Sequence, residues 1–213
     1  MGKSDPTVFS FYADVLDQKN QYESIGFFGF SNSNVFTDWF NSKSKNYYDR
    51  TLKNWDINTF PYEVKEKFDL IVCTRVAYFS RNPKEMLSNF KRCLTSGGKI
   101  LVDWGLGDHW RFQDFAIGWN HHGYQEFAYD EKNYLWSCYL SENLKENRYY
   151  CLFGDFCKGF GYESVETAIR DEVETIITDE EIRELGYAID EERCLALWPA
   201  APQLYVCLLL SKL

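Results

Sequence analysis

The chain lacks the features that place a protein in a membrane or on a nucleic acid. No apolar run long enough for a signal peptide or a membrane span occurs in its first residues, MGKSDPTVFSFYADVLDQKN. Lysine and arginine form no cluster, and the net charge of −9 offers no basic surface to a phosphate backbone. We therefore expect a soluble cytoplasmic protein that binds neither membranes nor nucleic acids.

The patterns of structural metal sites are missing as well. The 7 cysteines are odd in number and none are paired as CxxC, so neither a disulfide framework nor a zinc ribbon is expected. His121 and His122 are adjacent, and adjacent side chains point in different directions on a strand or a helix. One ion is therefore not expected to bind both of them, and we predict no metal site.

A crossover unit in residues 68–105 is the clearest structural signal that is present. An apolar run over 68–76 is typical of a strand buried on both faces. Asn82, Pro83 and Glu85 form the start signal of a helix, and Gly97-Gly98 is predicted to end it. A second apolar strand follows over 99–104. Strand, helix and strand in this order predict two parallel strands in one sheet.

Weaker signals flank this unit. We predict a helix over 4–20, a strand over 23–28, a short helix over 35–41 and weak strands over 47–52 and 53–57. The short spacing between the turn at Gly29 and Asp56 predicts that one of the intervening helices is shortened or missing. Further helices are predicted over 163–177 and from Thr178 to Gly186. Two final strands, over 193–198 and 203–210, are joined by Pro-Ala-Ala-Pro, which predicts an antiparallel hairpin.

These elements predict a single α/β domain over 1–213 with three layers. Its sheet is mostly parallel, of a seven-strand type, and ends in the antiparallel hairpin. Residues 105–162 interrupt the alternation of strands and helices and are rich in aromatic residues. We interpret them as an insert after the fifth strand that either packs as a small extra core or covers the substrate side of a pocket.

The chain resembles the class I S-adenosylmethionine-dependent methyltransferases. FDLIVCTRVAYF is similar to the fourth strand of that family, LSNFKRCLTSGGKILV to its next helix and fifth strand, and LWPAAPQLYVCLLLSK to its final hairpin. The glycine-rich loop after the first strand is degenerate, because FFGFSNSN keeps Gly29 but has Ser31 and Ser33 in place of later glycines. The resemblance implies methyl transfer from S-adenosyl-L-methionine to a small-molecule acceptor.

The resemblance also implies the cofactor-binding residues. Gly29, Ser31 and Ser33 would face the cofactor at the turn. Asp49, twenty residues after Gly29, stands where Rossmann-like folds place a carboxylate on the ribose hydroxyls. The adenine amino group would be recognised by the Asp56 side chain or by the neighbouring backbone amide of Ile57. A turn-forming role is the alternative for either aspartate.

Two further sites follow the fourth and fifth strands. Thr74 and Arg75 either line the pocket, with Arg75 gripping a carboxylate, or form a solvated strand end. His109 is the candidate general base, with Asp108 its orienting partner, because histidine titrates near neutrality. A histidine that only hydrogen-bonds within the aromatic segment is the alternative.

Two other functions stay open. One is a catalytically silent binding module with the methyltransferase fold, which the degenerate glycine loop favours. The other is a nicotinamide-dependent oxidoreductase, which the missing GxGxxG and Tyr-x-x-x-Lys patterns disfavour. A small-molecule substrate is the expected partner, and a homodimer is left open.

Overall fold

The structure is a computed structural model, and it describes residues 9, 12, 13, 15, 16, 21–106, 177–197 and 203–213. The helices and strands of these residues follow one another in this order: β1 (Tyr22–Phe28), α1 (Val35–Asp38), β2 (Ser42–Tyr48), β3 (Phe68–Cys73), α2 (Pro83–Cys93), β4 (Leu94–Leu106), α3 (Asp179–Glu184), β5 (Tyr187–Leu197) and β6 (Gln203–Lys212). Short 3-10 turns follow β2 at Arg50–Leu52 and β3 at Ala77–Phe79.

Six of the described segments form one sheet in the order β2-β1-β3-β4-β6-β5. The pairs β1–β2, β1–β3 and β3–β4 are parallel. The last two strands are neighbours joined over residues 198–202, a connection too short for a parallel crossover, and they form the antiparallel end of the sheet. The predicted α/β fold class is confirmed, with six strands in the described part of the chain.

The chain divides into two compact units. One contains residues 1–104, 179–193 and 207–213, and the other contains residues 105–178 and 194–206. The three labelled helices belong to the first unit. Most of the predicted insert over 105–162 lies outside the described residues, so the insert and the single domain over 1–213 stay predictions.

The aromatic core of the first unit follows from the alternation of side chains along a strand. Phe28 faces one side of the sheet, where its ring contacts those of Tyr48 and Phe90. Phe27, the preceding residue, contacts the rings of Phe30 and Tyr47 on the opposite side. The sheet is therefore covered on both faces, which a parallel sheet requires.

Helix α2 begins where the sequence predicts and ends earlier. Asn82 is the N-cap and accepts a hydrogen bond from the Glu85 N–H, but the Glu85 carboxylate accepts from Asn89 instead of returning to the cap. The predicted stop at Gly97 is wrong, because the helix ends at Cys93 and β4 begins at Leu94. Gly97 does have a positive φ of 70°, but it lies inside β4 at an irregularity of the β3–β4 pairing.

The predicted strand over 53–57 is also wrong. Residues 49–67 contain only the 3-10 turn and irregular backbone, and the preceding strand β2 ends at Tyr48. The prediction that one of the intervening helices is shortened or missing is confirmed, because α1 has 4 residues and the β2–β3 connection has only that 3-10 turn.

The ends of the chain agree with the sequence where they are described. Tyr12, Val15 and Leu16 are buried, as the predicted apolar face of an N-terminal helix requires. Helix α3 ends before Gly186, which has a positive φ of 80°. The predicted helix over 163–177 lies outside the described residues except for Ile177. No helix in the described ranges is both long and apolar enough to cross a membrane.

Candidate functional site

The candidate site lies at the carboxyl ends of the parallel strands, where sheets of this kind bind ligands. β1 ends at Phe28 and is followed by Gly29. Its two neighbours are β2, which is followed by Asp49, and β3, which is followed by Thr74. The fold thus brings Gly29, Asp49 and Thr74 to one edge of the sheet.

Gly29 makes a tight turn directly after β1. Its φ is 86°, a conformation that glycine adopts without steric cost. Its N–H donates a hydrogen bond of 2.7 Å to the Tyr48 carbonyl oxygen, so the turn lies beside the end of β2. A Cβ at this position would lie 2.2 Å from Val76 Cγ2, which shows that the segment after β3 closes against the turn.

Ser31 and Ser33 are exposed in the segment that leads into α1. The N-terminus of α1 is already satisfied by a capping box, in which Asn34 Oδ1 accepts from the N–H groups of Phe36 and Thr37. Thr37 Oγ1 accepts in return from the Asn34 N–H. Those N–H groups are therefore not available to an anion, whereas the hydroxyl groups of the exposed serines can serve as donors.

Asp49 caps the 3-10 turn after β2 with one oxygen of its carboxylate. Oδ1 accepts from the Thr51 N–H at 2.8 Å and from the Thr51 hydroxyl at 2.5 Å. Oδ2 has no hydrogen-bond partner among the described residues. The Asp49 N–H donates to Asn54 Oδ1, and the Asn54 amide donates to the Tyr47 carbonyl oxygen, which fixes the turn. One carboxylate oxygen therefore remains to accept a hydroxyl hydrogen next to the Gly29 turn.

Asp56 borders a cavity of about 270 Å³. Its Oδ1 accepts from the Asn58 N–H at 2.9 Å, and Oδ2 lies 3.5 Å from Arg50 Nε. The cavity is lined by Arg50, Lys53, Asn54, Trp55, Asp56, Thr59, Pro61, Tyr62 and Glu63. Of the predicted cofactor residues only Asp56 lines this cavity, and the Gly29 turn is not part of its lining.

Ile57 and Tyr62 are buried beneath this loop and are joined by a hydrogen bond. Ile57 is buried, and its carbonyl oxygen accepts from the Tyr62 hydroxyl at 2.9 Å. Burial raises the pKa of the Tyr62 hydroxyl, so it stays protonated and donates this bond near neutrality. The Ile57 side chain is thus part of the core, and only its backbone amide can fill the predicted role.

Thr74 and Arg75 follow β3, where Thr74 is buried and Arg75 is half-buried. Arg75 has a φ of 61°, a left-handed conformation that costs a residue with a side chain about 1–2 kcal/mol. Its N–H donates a 2.6 Å hydrogen bond to Oδ1 of the fully buried Asp103. Oδ2 of Asp103 accepts from the Tyr12 hydroxyl. Asp103 therefore fixes the segment after β3 and an N-terminal residue at the same point.

Asn58 is a site residue that the sequence analysis missed. Its side-chain amide donates to the Phe79 carbonyl oxygen at 3.0 Å and accepts from the Arg81 N–H at 2.8 Å. It thereby joins the segment after β2 to the segment after β3. Its position two residues after Asp56 is the only sequence signal, and that signal predicts no more than a local turn.

The predicted catalytic residues, Asp108 and His109, lie outside the described residues. Their roles as orienter and general base stay predictions.

Cys73 is the last residue of β3. Burial, and then the charge of Asp103, raise the pKa of its thiol, so this thiol stays protonated near neutrality. Cys73, which is fully buried, thus has the properties of a core residue.

Comparison with known proteins agrees with this fold. Residues 27–102 match the family model described as a methyltransferase domain. The N-methyltransferase NodS from Bradyrhizobium japonicum WM9, in complex with S-adenosyl-L-homocysteine, has 14% sequence identity and a TM-score of 0.53, with coverage of 99% of this chain and 88% of that chain. A putative S-adenosylmethionine dependent methyltransferase from Listeria monocytogenes has 13% identity and a TM-score of 0.54, with 96% of each chain covered. No curated protein matches the chain in sequence.

The fold is therefore that of the class I S-adenosylmethionine-dependent methyltransferases. Within it, the similarity to the methyltransferase domain model covers residues 27–102. The resemblance inferred from the sequence is confirmed on both grounds.

Proposed function

We propose that this protein binds S-adenosyl-L-methionine and transfers its methyl group to a small-molecule acceptor. The observation that carries the proposal is the bond from the Gly29 N–H to the Tyr48 carbonyl oxygen, because it sets the left-handed glycine turn beside Asp49. A glycine turn at the end of β1 and a carboxylate that can bind ribose hydroxyls are thus adjacent.

The described residues fit the cofactor in three respects. Asp49 Oδ2 has no partner among them and can accept a ribose hydroxyl hydrogen. Asp56 is held by Asn58 and Arg50 beside a cavity, where its carboxylate can accept from an exocyclic amino group. The exposed segment with Ser31 and Ser33 can offer hydroxyl and backbone donors to a carboxylate.

Thr74 and Arg75 would form the wall opposite Asp49. The hydrogen bond to Asp103 fixes the backbone of Arg75, so this residue keeps its unfavourable left-handed conformation. A guanidinium at this place can bind a carboxylate of the cofactor or the acceptor through two parallel hydrogen bonds.

The bound cofactor supplies an electrophilic methyl group on a sulfonium. What the chain adds is alignment of the acceptor in line with that group, and a place for the acceptor proton. We assign the proton to His109, oriented by Asp108, because this pair directly follows the strand whose end borders the site. The aromatic residues of 105–162 would cover the acceptor side and exclude water.

Isothermal titration with S-adenosyl-L-homocysteine tests the cofactor assignment, with NADH as the matched negative ligand. Binding of the first and not of the second supports the proposal. Binding of NADH alone contradicts it and favours an oxidoreductase. Binding of S-adenosyl-L-homocysteine without methyl transfer to a panel of amines, hydroxyls and thiols favours the catalytically silent module.

The proposed base has a separate test. His109→Ala should lower turnover by roughly 10²–10⁴-fold while cofactor affinity stays nearly unchanged. The pH–rate profile of this variant should also lose an ionisation near neutrality. Equal turnover with the same profile would show that alignment alone carries the reaction.

A further inference from the structure

Two chain segments border the space above the Gly29 turn. Because β2 and β3 lie on either side of β1, the segment after β2 and the segment after β3 form its two walls. The first wall contains Asp49 and Asp56, and the second contains Arg75. The distance between these walls decides whether groups on both can reach one ligand.

The first wall has no strand of its own to hold it. Residues 49–67 take part in none of the described strand pairs, so no ladder of backbone hydrogen bonds fixes their position. Side-chain hydrogen bonds do this instead. The Asn54 amide ties the start of the segment to Tyr47, and the Asn89 side chain accepts from the Tyr62 N–H at its end.

The side chain of Asn58 joins this wall to the other. Its Nδ2 donates to the Phe79 carbonyl oxygen, and its Oδ1 accepts from the Arg81 N–H. Its backbone N–H donates to Asp56 Oδ1, so the residue that spans the walls also orients the predicted adenine carboxylate. Both polar atoms of one amide are used, and no shorter or apolar side chain can make both bonds.

We propose that Asn58 is a positioning residue for the cofactor, which sets the separation of the two walls and the direction of the Asp56 carboxylate. This inference rests on the proposed function, and it concerns the adenine end of the cofactor site. Asn58 acts through Asp56 and through the backbone at Phe79 and Arg81, so it need not touch the cofactor itself.

Asn58→Ala removes both bonds between the walls. We expect its dissociation constant for S-adenosyl-L-homocysteine to rise roughly tenfold to hundredfold. Thr95→Ala is the matched control, because the Thr95 hydroxyl also joins distant segments, sharing its one hydrogen between the Phe68 carbonyl oxygen and Asp69 Oδ1 at the amino-terminal end of β3. This control should lose a comparable amount of thermal stability and keep the wild-type affinity.

Asn58→Asp distinguishes positioning from general destabilisation. When the introduced carboxyl is protonated it can still donate to Phe79 and accept from Arg81, whereas its ionised form has no donor and repels the carbonyl oxygen. The charges on the bonded segments are those of Asp56, its partner Arg50, and Arg81. Compared with wild type at the same pH, the affinity of this variant should be weak at about pH 8 and recover as the pH falls to about 4, where an ordinary aspartic acid carboxyl is about half protonated. Asn58→Ala should stay weak at both.

Hydrogen exchange separates the bridge from the cofactor assignment. The Arg81 amide should exchange faster in Asn58→Ala than in wild type or Thr95→Ala, whether or not a ligand is present. Wild-type affinity in Asn58→Ala, an equal loss in Thr95→Ala, or a pH-independent Asn58→Asp would each overturn the positioning role. Absence of binding by the wild type, with the Arg81 amide protected, would instead overturn the cofactor assignment and with it a role in placing that cofactor.

Discussion

The Arg75 N–H donates a 2.6 Å hydrogen bond to Asp103 Oδ1. Arg75 lies in the segment after β3, whereas Asp103 lies near the end of β4. The same carboxylate accepts from the Tyr12 hydroxyl and is fully buried. A buried carboxylate needs such donors, because an ionised group without partners is costly in the protein interior. Asp103 therefore makes the wall after β3 dependent on an N-terminal residue.

Tyr12→Phe should lower the free energy of unfolding by about 1.5–3 kcal/mol, since it removes a hydrogen bond to a charged group. In an Asp103→Ala background the same change should cost less, because its hydrogen bond to Asp103 is already absent. Urea unfolding of the four proteins measures this coupling. Tyr47→Phe serves as control, as the Tyr47 hydroxyl has no partner in the described ranges. Additive losses would contradict the bond.

Asp49→Ala and Asp56→Ala should each weaken binding of S-adenosyl-L-homocysteine by roughly tenfold to hundredfold. In the proposed site, the first would lose the acceptor for the ribose hydroxyls and the second the acceptor for the adenine amino group. Calorimetric titration measures both, and circular dichroism checks that the fold is intact. Asp190→Ala is a suitable control, because Asp190 lies on β5, at the opposite edge of the sheet from β2, where it pairs with Lys99. Unchanged affinity in both variants would show that the pocket is elsewhere.

Gly29→Ala should destabilise the protein more than Gly97→Ala. Both glycines have positive φ, which costs alanine about 1–2 kcal/mol. Only at Gly29 would the new Cβ meet a neighbour, 2.2 Å from Val76 Cγ2, while nothing lies within 4 Å at Gly97. This crowding should add about 1–3 kcal/mol.

The Val76→Ala background tests the crowding directly. Removing the two γ-methyl groups should bring the cost of Gly29→Ala close to that of Gly97→Ala, with all variants compared by urea unfolding. A Gly29→Ala cost that does not depend on residue 76 would mean that the segment after β3 does not press on the turn.

Tyr48→Phe should make the stability less dependent on pH in the acid range. The Glu66 N–H, and then the Tyr48 hydroxyl at 3.0 Å, lower the pKa of the Glu66 carboxyl from its ordinary 4.5. A lowered folded-state pKa stabilises the protein above the unfolded-state value, and this contribution is lost as the pH falls through the folded-state pKa.

Because Glu66 is exposed, its bond to Tyr48 should contribute only about 0.5 kcal/mol near neutrality. Urea unfolding at about pH 7 and about pH 3.5 should show the wild type more stable than Tyr48→Phe at the first and nearly equal at the second. A difference that persists undiminished at the lower pH would contradict the ionic character of the bond.

The unit from β3 to β4 was predictable because its signals are local. An apolar run, the Asn82-Pro83 start and an apolar helical face each depend on neighbours within a few residues. The predicted helix stop failed because Gly97 has the backbone conformation of a stop but uses it within a strand. A glycine with a positive φ can end a helix or bend a strand, and the sequence alone does not tell which of the two occurs.

The irregular segment after β2 was not predictable. Trp55 and Ile57 alternate as in a strand, yet both are buried in a loop, where the Trp55 ring contacts those of Tyr62 and Phe90. Packing against distant aromatic residues thus overrides the local pattern. The bridge made by Asn58 escapes prediction for the same reason, because its partners Phe79 and Arg81 are more than twenty residues away in sequence.

The missing strand after β2 also has a consequence for association between molecules. β2 is the outermost described strand on its side of the sheet, so one row of its backbone N–H and C=O groups has no strand opposite it. Such an edge can template pairing with a second chain, and lysine side chains on it oppose that pairing. β2 carries Lys43 and Lys45, the first of them highly exposed and paired with Glu23. Lysine side chains on this edge therefore disfavour extension of the sheet through β2.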